Sequence, residues 1–330
     1  MAVTIRDIAN ELKISHTTVS RVLRGKGENF ISDATRNKVM QLAQAMGYQP
    51  NRIARALVTG HTNLIALIGA HLYTPYSAQV AFQLAQELKR NHYELIVRTM
   101  EEDSDERHLL AAPQFPVDGM IAFDYPLGAI EFSDNTGSPS PAIVGMGAYF
   151  LEQTDTVEID LFSVTLEAVQ HLVEIGCRRI AYLVSQKCNQ IGDDRHDAYQ
   201  RVIEESGLQP HYIVTYGESR NAYYQTVINA CQHADRPDGI FCHNDDMAIG
   251  AYRALCDLGL KVPTDVALVG CDGIEDTEYL ERPITTIMQP IKEMCALAWK
   301  FLKQRIQEPD YPPQRVVLQP KLVIRASSQR

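Results

Sequence analysis

The sequence predicts an all-α head of three short helices followed by a hinge helix, joined to an α/β core built on parallel sheets. Three observations predict it. Apolar residues recur at helical spacing through the first 47 residues. From residue 62 onward, short apolar runs alternate with helix-period stripes, the pattern of strand–helix–strand units. Charge divides at the same place. Residues 1–61 hold nine Lys/Arg and four Asp/Glu, a net of +5, whereas the other 269 hold 22 and 37, a net of −15.

The head reads helix by helix. Thr4 is an N-cap with Asp7 three residues on, and Ile5, Ile8, Ala9 and Leu12 form one apolar stripe. Lys13-Ile14 make a tight connection, and Ser15 caps a second helix with Val19, Val22 and Leu23 inside. Ser32 caps a third, with Val39, Leu42, Ala43 and Met46, stopped by Gly47. The first two read as a helix-turn-helix, whose second helix enters the major groove of DNA. His16, Thr17, Ser20 and Arg21 then face bases, and Arg21 suits a bidentate contact to guanine. Ser15, Thr18 and the helix N-terminus suit phosphate oxygens. The same residues also read as a capped bundle with a solvated polar face.

Pro50 precedes a short basic segment in which Asn51 caps Arg52–Leu57. Such a helix is too short to stand alone in water. Arg52 and Arg55 lie on one side, with Ala54 and Leu57 elsewhere. An apolar tip suits a minor-groove wedge. An ordinary linker is the alternative, and Thr59–Thr62 read as a flexible connection.

In the core, 64–70, 93–99, 118–124, 141–147, 178–185, 238–244 and 266–272 are strand candidates. Ligands of parallel sheets sit beyond the C-terminal strand ends. Neither a GxGxxG nor a GxxxxGK[ST] motif occurs. The seven cysteines, with no CxxC pair, read as buried free thiols rather than a zinc or disulfide framework. No cofactor or metal is expected. No apolar run approaches a membrane span and no signal-peptide core opens the chain, so the expected location is the cytoplasm. The stripe Met294, Leu297, Ala298 and Leu302, with the lone Trp299, reads as core.

TIRDIANELKISHTTVSRVL and GYQPNRIARALVTGHT resemble the head and hinge of the LacI/GalR family of bacterial transcription regulators, nearly position by position. RHDAYQRVIEESGL, PDGIFCHNDDMAIGAYRALCDLGLKVPTDVALVGCDG and RPITTI extend the resemblance through the core. It implies two doubly wound parallel-sheet sublobes, similar to periplasmic sugar-binding proteins, with chain crossings near 160, 290 and 320. The implied domains are a DNA-binding head (1–47), a linker with the hinge helix (48–61), and an effector-binding and dimerisation core (62–330). One sublobe then takes 62–160 and 290–320, and the other 161–289 and 321–330.

By resemblance, Leu57 inserts at the central operator step with Ala54 beside it. The full set of candidate DNA contacts is Thr4, Ser15, His16, Thr17, Thr18, Ser20, Arg21, Asn51, Arg52, Ala54, Arg55 and Leu57. Candidate effector residues are Tyr76, Ser77, Phe123, Arg195, Asn244, Asp245 and Asp272. Each also reads as a strand-end turn residue or cap. The implied partners are a palindromic double-stranded operator, a second copy of the chain, and a sugar or sugar derivative. The implied activity is that of a ligand-responsive repressor.

Several positions depart from the family pattern: His71, Tyr73, Met146, Ser219, Arg220 and His243. His243 and Arg220 raise an anionic effector as an alternative. A solute-binding protein and an α/β enzyme are the competing readings. For the enzyme, His196 with Asp193 and Asp194, or His243 with Asp245, would serve as acid–base groups.

Overall fold

The computed structural model describes residues 3–23, 30–48, 60–69, 72–99, 117–124, 141–148, 154–190 and 192–330. It divides into two compact units, 1–62 and 63–330.

The first unit holds α1 (Ile5–Leu12), α2 (His16–Leu23) and α3 (Asp33–Ala45). Thr4 and Asp7 form a full capping box at α1. Lys13 ends that helix in the left-handed region (φ 53°), which turns the chain sharply into α2. Ser15 Oγ accepts from Thr18 N at 3.0 Å and Ser32 Oγ from Thr35 N at 3.3 Å. Ile8, Ala9, Val19, Val22, Val39 and Ala43 make the core. Each buried valine or isoleucine contributes about 1.5–3 kcal/mol, enough to hold three helices too short to persist separately.

The second unit contains two six-stranded sheets. The first is built from β1 (Leu64–Gly69), β2 (Glu94–Thr99), β3 (Gly119–Phe123), β4 (Ala142–Gly147), β5 (Asp155–Ile159) and β11 (Arg315–Leu318). The second is built from β6 (Ile180–Ser185), β7 (His211–Thr215), β8 (Gly239–Cys242), β9 (Ala267–Asp272), β10 (Thr285–Met288) and β12 (Lys321–Val323). Their orders are β11-β5-β4-β3-β1-β2 and β12-β10-β9-β8-β6-β7. Pairing is parallel throughout, except that β12 runs antiparallel to β10. Central strands such as LIALIG are apolar on both faces because helices cover both.

The helices of this unit are α4 (Pro75–Arg90), α5 (Leu161–Glu174), α6 (Asp194–Glu205), α7 (Arg220–Cys231), α8 (Asp245–Asp257) and α9 (Ile291–Gln307). The chain leaves the first sheet after β5, returns after β10 through α9, and leaves again after β11. Two of these crossings are tied together: Asp160 N donates to Leu318 O at 2.9 Å, and Gln319 Nε2 to Asp160 Oδ2 at 3.1 Å. Trp299 is buried in α9, its ring 4.8 Å from that of Tyr93.

All seven cysteines are free, but not all are buried: Cys188 is half-buried and Cys256 is exposed. Cys256 falls on the outward face of α8, a correction to the expectation of uniformly buried thiols. No helix among the described residues is long and apolar enough to cross a membrane.

Candidate functional site

On the head, α2 places Thr17, Ser20 and Arg21 at i, i+3 and i+4, one face of the helix. His16, Thr17 and Arg21 are exposed and Ser20 is half-buried. Thr4, Ser15 and Thr18 are engaged in cap hydrogen bonds. Asn51, Arg52, Ala54, Arg55 and Leu57 lie outside the described residues.

In the core, sheet topology decides where a ligand belongs. Within each sheet the first five strands run 2-1-3-4-5, so strand order reverses between the first and third. The crevice beyond the strand ends at that reversal is the usual binding place. At the reversal of the first sheet stand the start of α4 and the end of β3, which carry Tyr76 and Phe123. At the reversal of the second stand the start of α6 and the end of β8, which carry Arg195 and Asn244. Asp272 ends β9.

These residues meet through a hydrogen-bonded chain that joins the two lobes. Tyr76 OH donates to Gln289 Oε1 at 2.7 Å, and Gln289 Nε2 donates to Asp272 Oδ1 at 2.9 Å. Gln289 lies in the crossing between β10 and α9. The Tyr76 and Phe123 rings are 5.6 Å apart. Asp272 has φ 121°, a left-handed conformation that costs a non-glycine residue about 1–3 kcal/mol. Such strain is held where a side chain is aimed for use.

Arg195 is the cation of this site. Its Nη1 donates to His243 O at 3.3 Å and its Nη2 lies 3.5 Å from Asp193 Oδ2. Its Nε is buried with no hydrogen-bond partner. Burial acts to lower its pKa, but Asp193, Cys271, Tyr182 and Asp272 outweigh that and raise it. Burial acts to raise the Asp193 carboxyl, yet Arg195 and the backbone N–H of His196 hold it below the usual carboxylate range. Burial, then repulsion from Asp245, pushes Asp272 well above that range.

Three neighbours of these residues are not among the effector candidates read from the sequence. Asp124 follows β3 with φ 44° and accepts from Ala148 N at 2.8 Å. A Cβ on Gly147 would stand 2.1 Å from its Oδ1, which is why that position is glycine. Asp193 caps α6 and pairs with Arg195, and Gln289 is the bridge already described. The reversed strand order marks all but Gln289, and it is visible only in the folded sheet.

Other candidates are turned elsewhere. Asp245 is fully buried, and its carboxylate accepts from Gly273 N at 2.8 Å, Ile274 N at 2.9 Å and Thr286 Oγ1 at 2.8 Å. It is a structural carboxylate, a correction to its place among the effector contacts. Burial pushes its carboxyl up to about 7. Asn244 Oδ1 caps α8 by accepting from Met247 N at 2.9 Å. Ser77 Oγ lies 2.8 Å from Thr74 Oγ1 at the start of α4.

Arg220 is paired with Asp246 at 2.6 Å and Asp276 at 3.4 Å. His243 is buried with Nδ1 2.7 Å from Tyr182 OH, and burial followed by Arg195 lowers its pKa to about 3. It is neutral at physiological pH, so both supports for an anionic effector fall away. The imagined acid–base couples are not assembled either. His196 stacks on Tyr212 at 5.6 Å and bonds Asp197, while the Asp193 carboxylate caps its backbone N–H. His243 turns to Tyr182, and Asp245 to the β9–β10 side.

The family description "Bacterial regulatory proteins, lacI family" matches residues 4–51, and "Periplasmic binding protein-like domain" matches 169–328. The ribose operon repressor of Haemophilus influenzae is 30% identical over 330 residues, covering 98% of each chain. The HTH-type transcriptional repressor PurR of Yersinia pestis bv. Antiqua is 28% identical, covering 98% of this chain and 96% of that one. A transcriptional regulator CelR–cellobiose complex is 27% identical with a TM-score of 0.67, covering 98% and 99%. The lac repressor dimer bound to operator and the anti-inducer ONPF shares the fold at a TM-score of 0.82 and 23% identity, over 100% of both chains. Matched from its helical head through both sheets, the chain belongs to the lacI family of bacterial regulatory proteins.

Proposed function

We propose that this repressor binds a palindromic operator as a dimer and is switched by a hydroxyl-rich, sugar-like molecule in the cleft of its core. We assign 1–47 to DNA reading, 48–61 to the hinge, and 62–330 to effector binding and dimerisation. The observation that carries the reading is the chain Tyr76–Gln289–Asp272, because it reaches from one lobe through a crossing to the other. A ligand that bonds Asp272 and Arg195 therefore acts on the angle between lobes. It shifts the protein between two states only by binding one more tightly.

Hydroxyl groups suit this cleft because each both donates and accepts. Asp272 wants donors, and the Nε of Arg195 wants an acceptor. Two heads then meet two half-sites, with Arg21 and Thr17 on base edges and Leu57 wedged in the minor groove. Binding and release, with no bond made or broken, account for every residue placed in the site. The protein does this work in the cytoplasm, where its operator lies.

The test is fluorescence anisotropy of the full chain on palindromic duplexes from upstream of its own gene, with and without sugars. Leu57→Gly is expected to weaken operator binding roughly 100-fold, about 3 kcal/mol, while leaving sugar-induced thermal stabilisation intact. Asp272→Ala is expected to bind operator like the parent and to lose the response to sugar. An Asp272→Ala protein that still responds would remove the cleft from the switch.

A further inference from the structure

We infer that Asp124 is a specificity-determining residue, which with Asp272 makes the cleft take an uncharged ligand offering hydrogen-bond donors to both lobes and refuse sugar phosphates and sugar acids. The inference rests on reading the cleft as the effector site, and it goes beyond that reading by fixing the charge of the ligand.

Asp124 follows the first lobe's β3 and Asp272 ends the second lobe's β9. Asp124 follows Phe123, whose ring is 5.6 Å from that of Tyr76, and the Tyr76 hydroxyl donates to Gln289, which donates to Asp272, so the two acids are linked through Tyr76. Each carboxylate spends one oxygen on the protein: Asp124 Oδ1 on Ala148 N, Asp272 Oδ1 on Gln289 Nε2. Their second oxygens have no hydrogen-bond donor among the described residues.

Among the described residues Arg195 is the cation whose charge acts on both carboxyls; its Nη2 pairs with Asp193 and its Nε is left for a neutral acceptor. His243, which faces the same arginine, is neutral. Among the described residues, three acids, Asp124, Asp193 and Asp272, stand against the one cation Arg195. A phosphate or carboxylate would meet two acids whose ionisation its own charge opposes, in a medium of low dielectric where like charges repel strongly. A hydroxyl instead donates to a carboxylate and satisfies it. Burial, opposed by Ala148 N–H and Arg195, leaves the Asp124 carboxyl raised, the mark of a charge kept without full compensation. Residues held for a ligand often cost stability when it is absent.

Asp124→Asn tests this, because the amide oxygen keeps the bond to Ala148 N and only the charge is lost. Among the described residues the titratable groups around the pair are Arg195 on α6, Asp193 at its cap, Asp245 on α8, Cys271 on β9 and Tyr76 on α4, and all stay unchanged. The full-length variant is expected to melt several degrees higher than the parent at pH 8, the difference shrinking as pH falls and the parent's carboxyl protonates. A variant that melts lower, or by a margin independent of pH, overturns the inference.

The second arm is a thermal-shift titration with ribose, glucose, galactose and fructose, each beside its phosphate ester. A neutral sugar is expected to stabilise the parent while its ester does not, and the ester is expected to gain at least tenfold in affinity on Asp124→Asn. An ester that stabilises the parent as strongly as its neutral sugar overturns the inference. If no compound acts on either protein while the pH-dependent melting difference stands, the sugar-effector reading fails and the charge assignment holds.

Discussion

Replacing Asp245 with alanine should cost the core about 4 kcal/mol. Three donors aim at this one buried carboxylate: the N–H groups of Gly273 and Ile274 and the hydroxyl of Thr286. Each donor left buried without a partner costs about 1–3 kcal/mol, and the backbone cannot rotate to find water. Gly270 is packed against the same group, since a Cβ there would come 2.1 Å from Asp245 Oδ1. The carboxylate thus pins the start of α8 to the ends of β9 and β10, the strands that carry Asp272 and lead to Gln289. Urea unfolding followed by circular dichroism at pH 7.5 measures the loss. A midpoint within experimental error of the parent would show that the carboxylate pins nothing.

Arg195→Met should cost about 3 kcal/mol at pH 8, with a pH dependence that identifies the cause. Methionine fills the space of the aliphatic stem, so packing changes little. What is lost is the cation, and removing one partner of a buried ion pair leaves the other uncompensated. In the parent, Asp193 is held below the ordinary carboxylate pKa despite its burial. Its contribution to stability is present above the unfolded value and is lost as pH falls through the lowered folded value. Without Arg195 the folded values of Asp193, Asp124 and Asp272 all rise. A carboxyl with a raised folded pKa destabilises above that value, and stability returns as pH falls through it. Melting curves of parent and variant should therefore converge as pH falls from 8. A constant gap would mean that the arginine acts through packing alone.

Much of this architecture is legible in the chain because local rules and tertiary demands agree. The Thr4-to-Asp7 spacing, Ser15, Ser32 and Gly47 mark helix boundaries by satisfying or ending backbone donors. LIALIG and ALVGCD are strands because a doubly covered sheet leaves no polar face. The segments that went unnoticed lack such agreement. HYIVT begins with two half-buried aromatic side chains, and α7, RNAYYQTVINAC, shows no clean apolar stripe although Tyr223, Val227 and Cys231 are buried. Both are read only once their neighbours are in place.

At the site, position was easier to read than role. Asp245 and Asp272 look alike in sequence, each an acid just beyond a strand or at its end. One bonds three donors of its own lobe, and the other bonds Gln289 in the crossing to the other lobe. The difference depends on where Gly273 and Thr286 fall after folding. Asp124 and Gln289 were silent because their meaning is a contact far away in sequence: Asp124 with Ala148 at the next strand's end, and Gln289 with Tyr76 and Asp272.

The repetition of one winding order in both sheets has an evolutionary consequence. Each half is a complete scaffold supplying its own share of the lining: aromatic and acidic groups from one, the guanidinium and a second acid from the other. Recognition can drift by substitutions confined to a single half while its counterpart keeps an ancestral grip on the molecule. New sensors can thus arise from old ones by piecemeal exchange, without passing through a form that senses nothing.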